Sequence, residues 1–361
     1  MVLALTALAG TVHAEDSKNS MFSVSGFGTV GVTHSSIDDG DYVANLSQPA
    51  GAGRSHDWDL GVDSKLGVQI DAKFSEQLTG VVQVVAMTRS NNSFSPRVEW
   101  ANLKYRVTPD LSLRVGRIAL ASFVASEARL VGYANPWVRT PIETYNINSI
   151  TNSDGIDASY RKRVGVANNT LQAWYGTTKV DIVGQSGSIT SGVKAKKLYG
   201  VADTVEVGAL TVRGGVTLAD FEIQAAPGFL ITPRFKLFNI GAVYDPGVWF
   251  VQSEFSKSDF ENAARAQKSF YVTAGYRWNA FTPYLTYSQV KPDDNQARLT
   301  TRDQKTYSAG VRWDTAKNTA IKLQWDRVNL ADGNVGFFTN ARPGLAGKSG
   351  NVVTLLADFV F

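Results

Sequence analysis

The 361-residue chain contains no cysteine, three methionines and three histidines. Without cysteine there is no disulfide framework and no thiolate metal site. No run of about 18 apolar residues occurs anywhere, so no transmembrane helix is expected. No phosphate-cradling Gly-rich motif precedes a helix, and the basic residues are spread along the chain rather than gathered into a nucleic-acid module. Charge of one sign does not dominate either, the formal excess being +4. What is abundant is aromatic and glycine: 8 Trp, 13 Tyr, 18 Phe and 32 Gly.

The apolar residues recur at period two. Leu66, Val68, Ile70, Ala72 and Phe74 alternate with Lys65, Gly67, Gln69, Asp71 and Lys73. Phe270, Val272, Ala274, Tyr276 and Trp278 repeat the pattern, as do Tyr307, Ala309, Val311 and Trp313. Such segments of roughly 9–11 residues are long enough for tilted strands to cross a bilayer. The connections between them differ in length. Thr108–Asp110, Asp245–Gly247, Trp278–Ala280 and Asp314–Asn318 are short and carry turn residues. Residues 35–57, 118–154, 178–194, 220–234, 257–267, 291–304 and 330–349 read as long polar loops. Alternating short and long connections are a property of barrels with one end on each side of a membrane. Trp278, Phe281, Trp313, Tyr244, Trp249 and Tyr105 flank the short turns, where a headgroup boundary would hold them. The fold class predicted is all-β: a transmembrane antiparallel barrel of about sixteen strands, both termini at the short-turn end.

The chain ends NVVTLLADFVF, with Val353, Leu355, Ala357, Phe359 and Phe361 on one side of a strand. Chain ends are usually loose and polar; a barrel instead closes by pairing its last strand with its first. The connection after the fifth strand, Ile118 to Gly155, is also unlike a surface loop, since it holds Phe123, Val124, Leu130, Tyr133, Trp137 and Tyr145. A loop that long and apolar must pack against something, and the interior of a wide barrel is available.

On these residues the chain resembles the Gram-negative outer-membrane general porins, whose chains typically end on a strand with terminal Phe. Their third outer loop follows the fifth strand and folds into the pore as a constriction. The strand LSLRVGR (Leu111–Arg117) and the stretch GYANPWVRTPIETYN are similar to the corresponding stretches of a proteobacterial subgroup. The resemblance implies a homotrimer in the bacterial outer membrane, surrounded by lipid and lipopolysaccharide, with a C-terminal strand read by the barrel-assembly machinery. It also implies passive diffusion of ions and small hydrophilic solutes, with periplasmic termini. Many porin loops carry an acidic cluster; this one has Glu127, Glu143 and Asp154 mixed with Arg129 and Arg139, which argues against strong cation selectivity.

In the phase opposite the apolar residues stand Lys65, Lys73, Lys104, Arg106, Arg114, Arg161, Arg163, Arg213, Arg277, Arg312 and Lys322, against Asp71, Asp157, Asp326 and Asp358. A basic interior favours anions, so a modest anion preference is predicted. The candidate constriction residues are Arg114, Arg117, Glu127, Arg129, Arg139, Glu143, Arg161 and Arg163, with Arg114, Arg161 and Arg163 opposite or beneath Glu127 and Glu143. These arginines could alternatively pair with loop carboxylates merely to hold the loop down.

His34 and His56 flank a loop with Asp38, Asp39, Asp41, Asp57 and Asp59, and Ser35, Ser36 or Ser55 could complete a hydrolytic set; solvated loop polars are the plainer reading. The acids lack the spacing of a dedicated Ca²⁺ loop. No enzyme activity, metal, cofactor or nucleic-acid partner is expected. Residues 1–14 read as a residual signal peptide, with an apolar Val2–Leu8, cleavage after Ala14 and no basic start. Residues 15–361 then form one barrel domain with an inward loop at 118–155. The competing functions are a substrate-specific channel with a binding site at that loop, and a non-channel barrel serving as adhesin, receptor or lipid-handling enzyme.

Overall fold

A computed structural model describes residues 20–226, 228–261, 265–293 and 302–361; the signal-peptide segment lies outside them. The first strand, β1 (Phe22–Ser35), is followed by β2 (Lys65–Lys73), β3 (Leu78–Thr88), β4 (Phe94–Arg106) and β5 (Leu111–Ala119). After the long loop come β6 (Asn152–Val164), β7 (Ala167–Val183), β8 (Ile189–Val207), β9 (Leu210–Ala226) and β10 (Arg234–Tyr244). The set ends with β11 (Trp249–Glu261), β12 (Arg265–Tyr276), β13 (Phe281–Pro292), β14 (Gln304–Ala316), β15 (Thr319–Leu330) and β16 (Ser349–Val360). Each wall strand pairs antiparallel with its sequence neighbours, and β1 pairs with both β2 and β16, so the sixteen strands close. Two shorter pieces, Trp58–Asp59 and Phe229–Ile231, add to the sheet within loops.

Closure depends on the last residues. Phe27↔Val360 to Ser35↔Val352 form the seam, which Phe361 extends by exchanging backbone hydrogen bonds with Gly26. The rings of Phe359 and Phe361 lie flat over Gly28 and Gly26: a Cβ on either glycine would sit 2.2 Å from a ring carbon. These two glycines therefore do not leave a bare small-residue stripe. They are the floor on which the terminal aromatics rest.

The alternation resolves into an outside and an inside. Val30, Val68, Ile70, Leu103, Val115, Ile156, Ile240, Leu285 and Leu323 are exposed, whereas Thr29, Asp157, Glu254, Thr286, Gln324, Asp326 and Asp358 are buried inside. An apolar outer wall around a polar, filled interior fits lipid outside. Tyr105, Tyr244, Trp249, Trp278, Phe281 and Trp313 are exposed beside the short turns, as an aromatic girdle requires.

Several predicted long loops are instead strand. β7 and β8 run on to Val183 and from Ile189, so 178–194 is a tight hairpin around 184–188; β9 reaches Ala226, and β11 and β12 consume most of 257–267. Past the apolar band the outward face turns charged, as at Lys257, Asp259 and Glu261, so the hydrophobic alternation fades while backbone pairing continues and the inner face stays buried at Val193, Phe221 and Phe235. Loops 36–64 and 331–348 are true loops, and they join over the barrel mouth. Asp41 and Thr339 exchange backbone hydrogen bonds, and the Asp41 carboxylate accepts from Ser55 and Asn340. Ile37, Tyr42, Phe337, Phe338 and Leu345 are buried between them.

Candidate pore constriction

The connection between β5 and β6 spans residues 120–151, shorter at both ends than the predicted 118–155 because Ile118, Ala119 and Asn152–Gly155 are wall. Its two ends meet at Leu120 N–H and Thr151 O (2.9 Å). A 3₁₀ turn at Gly132–Ala134 and a short helix α1 (Ile142–Tyr145), opened by Pro141, stiffen it. Phe123, Trp137, Ile142, Tyr145 and Ile147 are buried, which accounts for its apolar composition.

Polar anchors fix the loop to one side of the barrel. Arg139 donates to Asp63 (2.6 and 2.9 Å), Asp326 (3.1 Å) and Thr354 (2.5 Å), and lies over the Tyr42 ring. Burial pushes the Asp63 carboxyl up, but the Arg139 guanidinium outweighs it and holds the group below the usual carboxylate range. Glu143 accepts from Ser288 (2.7 Å), Gln304 (2.7 Å) and Thr306; burial raises its carboxyl above the usual range despite those hydrogen bonds. Lys322 donates to the carbonyls of Gly132, Asn135 and Trp137 and pairs with Asp358 at 2.8 Å. Arg312 and Arg213 donate to loop carbonyls of Tyr133 and Ala121. Glu254 on β11 takes the Val124 N–H (2.9 Å) and the hydroxyls of Tyr145 (2.5 Å) and Tyr271 (2.7 Å).

The loop is thus held against β9 and β11–β16, and an open cleft of about 860 Å³ remains on the other side. Lys65, Met87, Arg89 and Glu99 line it from β2–β4, Arg129 and Leu130 from the long loop, and Ala44 to Gln48 from loop 36–64. Arg89 is bound to Glu99 (2.6 Å). Arg129 donates to the carbonyls of Tyr145 (3.0 Å) and Asn148 (3.2 Å), and burial lowers its pKa to about 10, which leaves it charged at neutral pH. At the next level Arg114 pairs with Asp157 (2.5 Å) and Glu127 (3.4 Å), with Lys104 directly opposite it on β4.

The predicted inward bases therefore divide three ways. Lys322, Arg312 and Arg213 hold the loop, while Lys65, Lys104 and Arg114 stand along the opening. Lys73, Arg106, Arg277, Arg161 and Arg163 belong to the short-turn end. Arg161 and Arg163 bond Thr170 and the Gly165 carbonyl there, so the expected pairing with Glu127 and Glu143 is not made. The phase of these arginines was right, but their height along the strand is set by where β6 ends. Glu143 faces hydroxyls and an amide rather than a cation. Arg117 pairs with Asp154 (2.7 Å) on the outward face, because it shares the phase of exposed Leu113 and Val115, as Asp154 shares that of exposed Ile156. Glu99, Arg89, Glu254 and Asp63 were missed. A charged residue in the inward phase of its strand was the available signal for Glu254, whereas Glu99 shares the phase of outward Leu103 and Tyr105 and is turned inward by the register shift opposite Gln83 and Val84.

The histidines form local pairs. His34 contacts Asp57 (3.0 Å) and stacks on exposed Trp58, and His56 contacts Asp59 (2.8 Å). The hydroxyls of Ser35, Ser36 and Ser55 bond Ile37, Asn351 and Asp41 instead. Among the described residues no group of three or more His, Asp or Glu stands close enough to hold a metal.

The family model described as Gram-negative porin matches residues 2–333. Solved structures with the same fold include OmpF of Salmonella typhi in complex with daunomycin (16% identity, 94% of this chain and 97% of that one, TM-score 0.61). An anion-selective porin from Comamonas acidovorans aligns at 15% identity over 94% of this chain and all of that one (TM-score 0.61). OmpT of Vibrio cholerae in its trimer form aligns at 14% identity over 95% and 100% (TM-score 0.60). No curated protein sequence matches.

Proposed function

Because the chain belongs to the Gram-negative porin family, an outer-membrane channel for passive diffusion, we propose that its traffic is small hydrophilic solutes with a modest preference for anions. The observation that carries this reading is the one-sided cleft, where Lys65 and Arg129 face the opening while Glu99 is bound to Arg89 and Asp63 to Arg139. A cation-lined constriction favours anions and the carboxylate or phosphate groups of solutes. The channel works without catalysis. Both termini lie at the short-turn end, which we assign to the periplasm, and loops 36–64 and 331–348 face outside. The flat apolar face formed by Phe359, Phe361, Val30, Leu66 and Val68 supports a homotrimer packed through β16–β2. Lipid and lipopolysaccharide cover the remaining wall, and the assembly machinery reads the C-terminal strand.

One observation favours a second reading. Loops 36–64 and 331–348 bury an apolar cluster across the mouth, which suits a channel restricted to particular solutes at the constriction. Planar-bilayer recording tests both. A salt gradient should give an anion-side reversal potential, moving toward cations in Lys65→Gln/Arg129→Gln. Current that saturates with one solute would favour the restricted channel; a cation-side potential in the parent protein would refute the anion assignment.

A further inference from the structure

The β7–β8 hairpin outgrows the wall that carries it. Its pairing with β6 ends at Asp154↔Thr177, and β7 runs on past that level to Val183. Here both strands are bulged. The register shifts on β7 between Gly176 and Thr178 and again between Val180 and Ile182, and on β8 between Lys196 and Tyr199, where Lys197 has φ 45°. Bulges bend a strand pair. This bend carries the hairpin inward: Val183 and Val193 are 0% and 1% exposed, while a hollow lined by Ile156, Tyr175 and Lys197 is left on the outer side.

The tip lands on the far side of the mouth. β8 and β16 stand half-way round a ring of sixteen strands from one another. Yet Ala341 N–H, in the loop that leads to β16, donates to the Gln185 carbonyl (2.9 Å), and Asn340 lies against Gly187. On the way the hairpin ties together the two banks of the cleft. Val183 N–H donates to the Leu46 carbonyl (2.9 Å), in the middle of the stretch 44–48 that forms one bank. Asp181 accepts from Ser90 Oγ (2.8 Å), next to Arg89 on the other bank, and is itself held by the Gly192 N–H (2.9 Å). The barrel closes elsewhere, between β1 and β16, so the effect of these ties falls on the opening.

We propose that the β7–β8 hairpin is a tie bar across the mouth, which fixes the width of the cleft from above and so sets the largest solute the channel admits. This rests on the reading of the cleft as the solute path. An uncharged solute meets the bar as an anion does, because it acts through the spacing of its ties and not through Lys65 or Arg129.

Liposome swelling with neutral oligosaccharides of increasing length reads the size limit without involving charge. Replacing residues 180–193 by Asn-Gly joins Lys179 to Lys194, which stand directly opposite each other, through a two-residue turn. The limit should move upward by one sugar or more. Asp181→Ala/Val183→Pro keeps the hairpin's length but removes both ties, since Pro has no N–H to give Leu46, and should move the limit the same way by less. An unchanged limit in a folded variant of either kind would overturn the proposal.

A cysteine pair separates a fixed bar from a swinging lid. A Cβ on Gly187 would stand 3.7 Å from that of Asn340, inside the roughly 3.5–4.5 Å that a disulfide spans, and the chain has no other cysteine. In Gly187→Cys/Asn340→Cys the bond should form on oxidation and leave the limit where the reduced form has it. The reduced form controls for the substitutions themselves, both made at positive φ (82° and 53°). Failure to form the bond, or a limit lowered by oxidation, would each overturn a bar seated across the mouth. A parent protein that passes no sugar at all loses the porin reading; one that passes sugars with the limit of its shortened variant loses this inference alone.

Discussion

Arg139 is the sharpest test of how the long loop is held. Its side chain is 6% exposed and lies between Asp63 (1%) and Asp326 (2%). Arg139→Ala would leave both carboxylates buried without their counter-charge. Breaking a buried pair from one side costs about 3–5 kcal/mol, and at about 1.4 kcal/mol per factor of ten this shifts loop docking by two to three decades or more. Arg139 touches the barrel seam only through the hydroxyls of Thr33 and Thr354, and the backbone pairing of β1 with β16 does not run through it, so heat-modifiable folded protein should form at near-normal levels. The loss should appear as a noisy open channel with brief high-conductance excursions, and as trypsin cleavage at Arg129. Adding Asp63→Asn and Asp326→Asn removes the stranded charges and should quieten the current. If Arg139→Ala records as quietly as the parent and resists trypsin equally, the buried clamp does not hold the loop.

Acid should act on the same contact. Asp63 titrates below its ordinary value, so the clamp contributes fully above that value and is lost as pH falls through the lowered one; channel noise should rise there. Glu143 has the opposite sign: raised by burial, it favours docking below its ordinary value and loses that contribution as pH climbs through the raised one. Glu143→Gln should remove that second dependence, which a pH series of channel noise would show. Phe359→Ala/Phe361→Ala strips both rings from Gly28 and Gly26 at the seam and should lower the yield of folded barrel, read by heat modifiability on gels, far below that of Tyr307→Ala on the open wall. Protease added to intact cells should nick loop 331–348 and spare Asp245–Gly247.

Much of this was legible because a barrel wall has a strict period. Leu66 to Phe74 and Tyr307 to Trp313 each assign their own inside and outside, and the aromatics at Trp249, Trp278 and Trp313 mark one rim. The long loop announced itself by carrying Trp137 and Tyr145 where a surface loop would be polar. The chain did not reveal how far the strands project beyond the apolar band, because Lys257, Asp259 and Glu261 put charge on the outward face, where the apolar alternation stops and backbone pairing goes on. Nor did it separate bases that line the opening from bases that anchor. Lys322 and Lys65 share a phase, and only the path of the loop makes one a buried carbonyl ligand and the other a lining charge. Arg161 shows the same limit along the strand axis: phase is local, whereas height depends on where the turn falls.

The most direct measurement is single-channel recording of the purified protein in a planar bilayer, with the parent beside Lys65→Gln/Arg129→Gln. Ohmic steps are expected from both, with the reversal potential on the anion side for the parent and displaced toward cations in the variant. An absence of steps, or a reversal potential that the substitutions leave in place, would contradict a solute path along the cleft between the long loop and β2–β4.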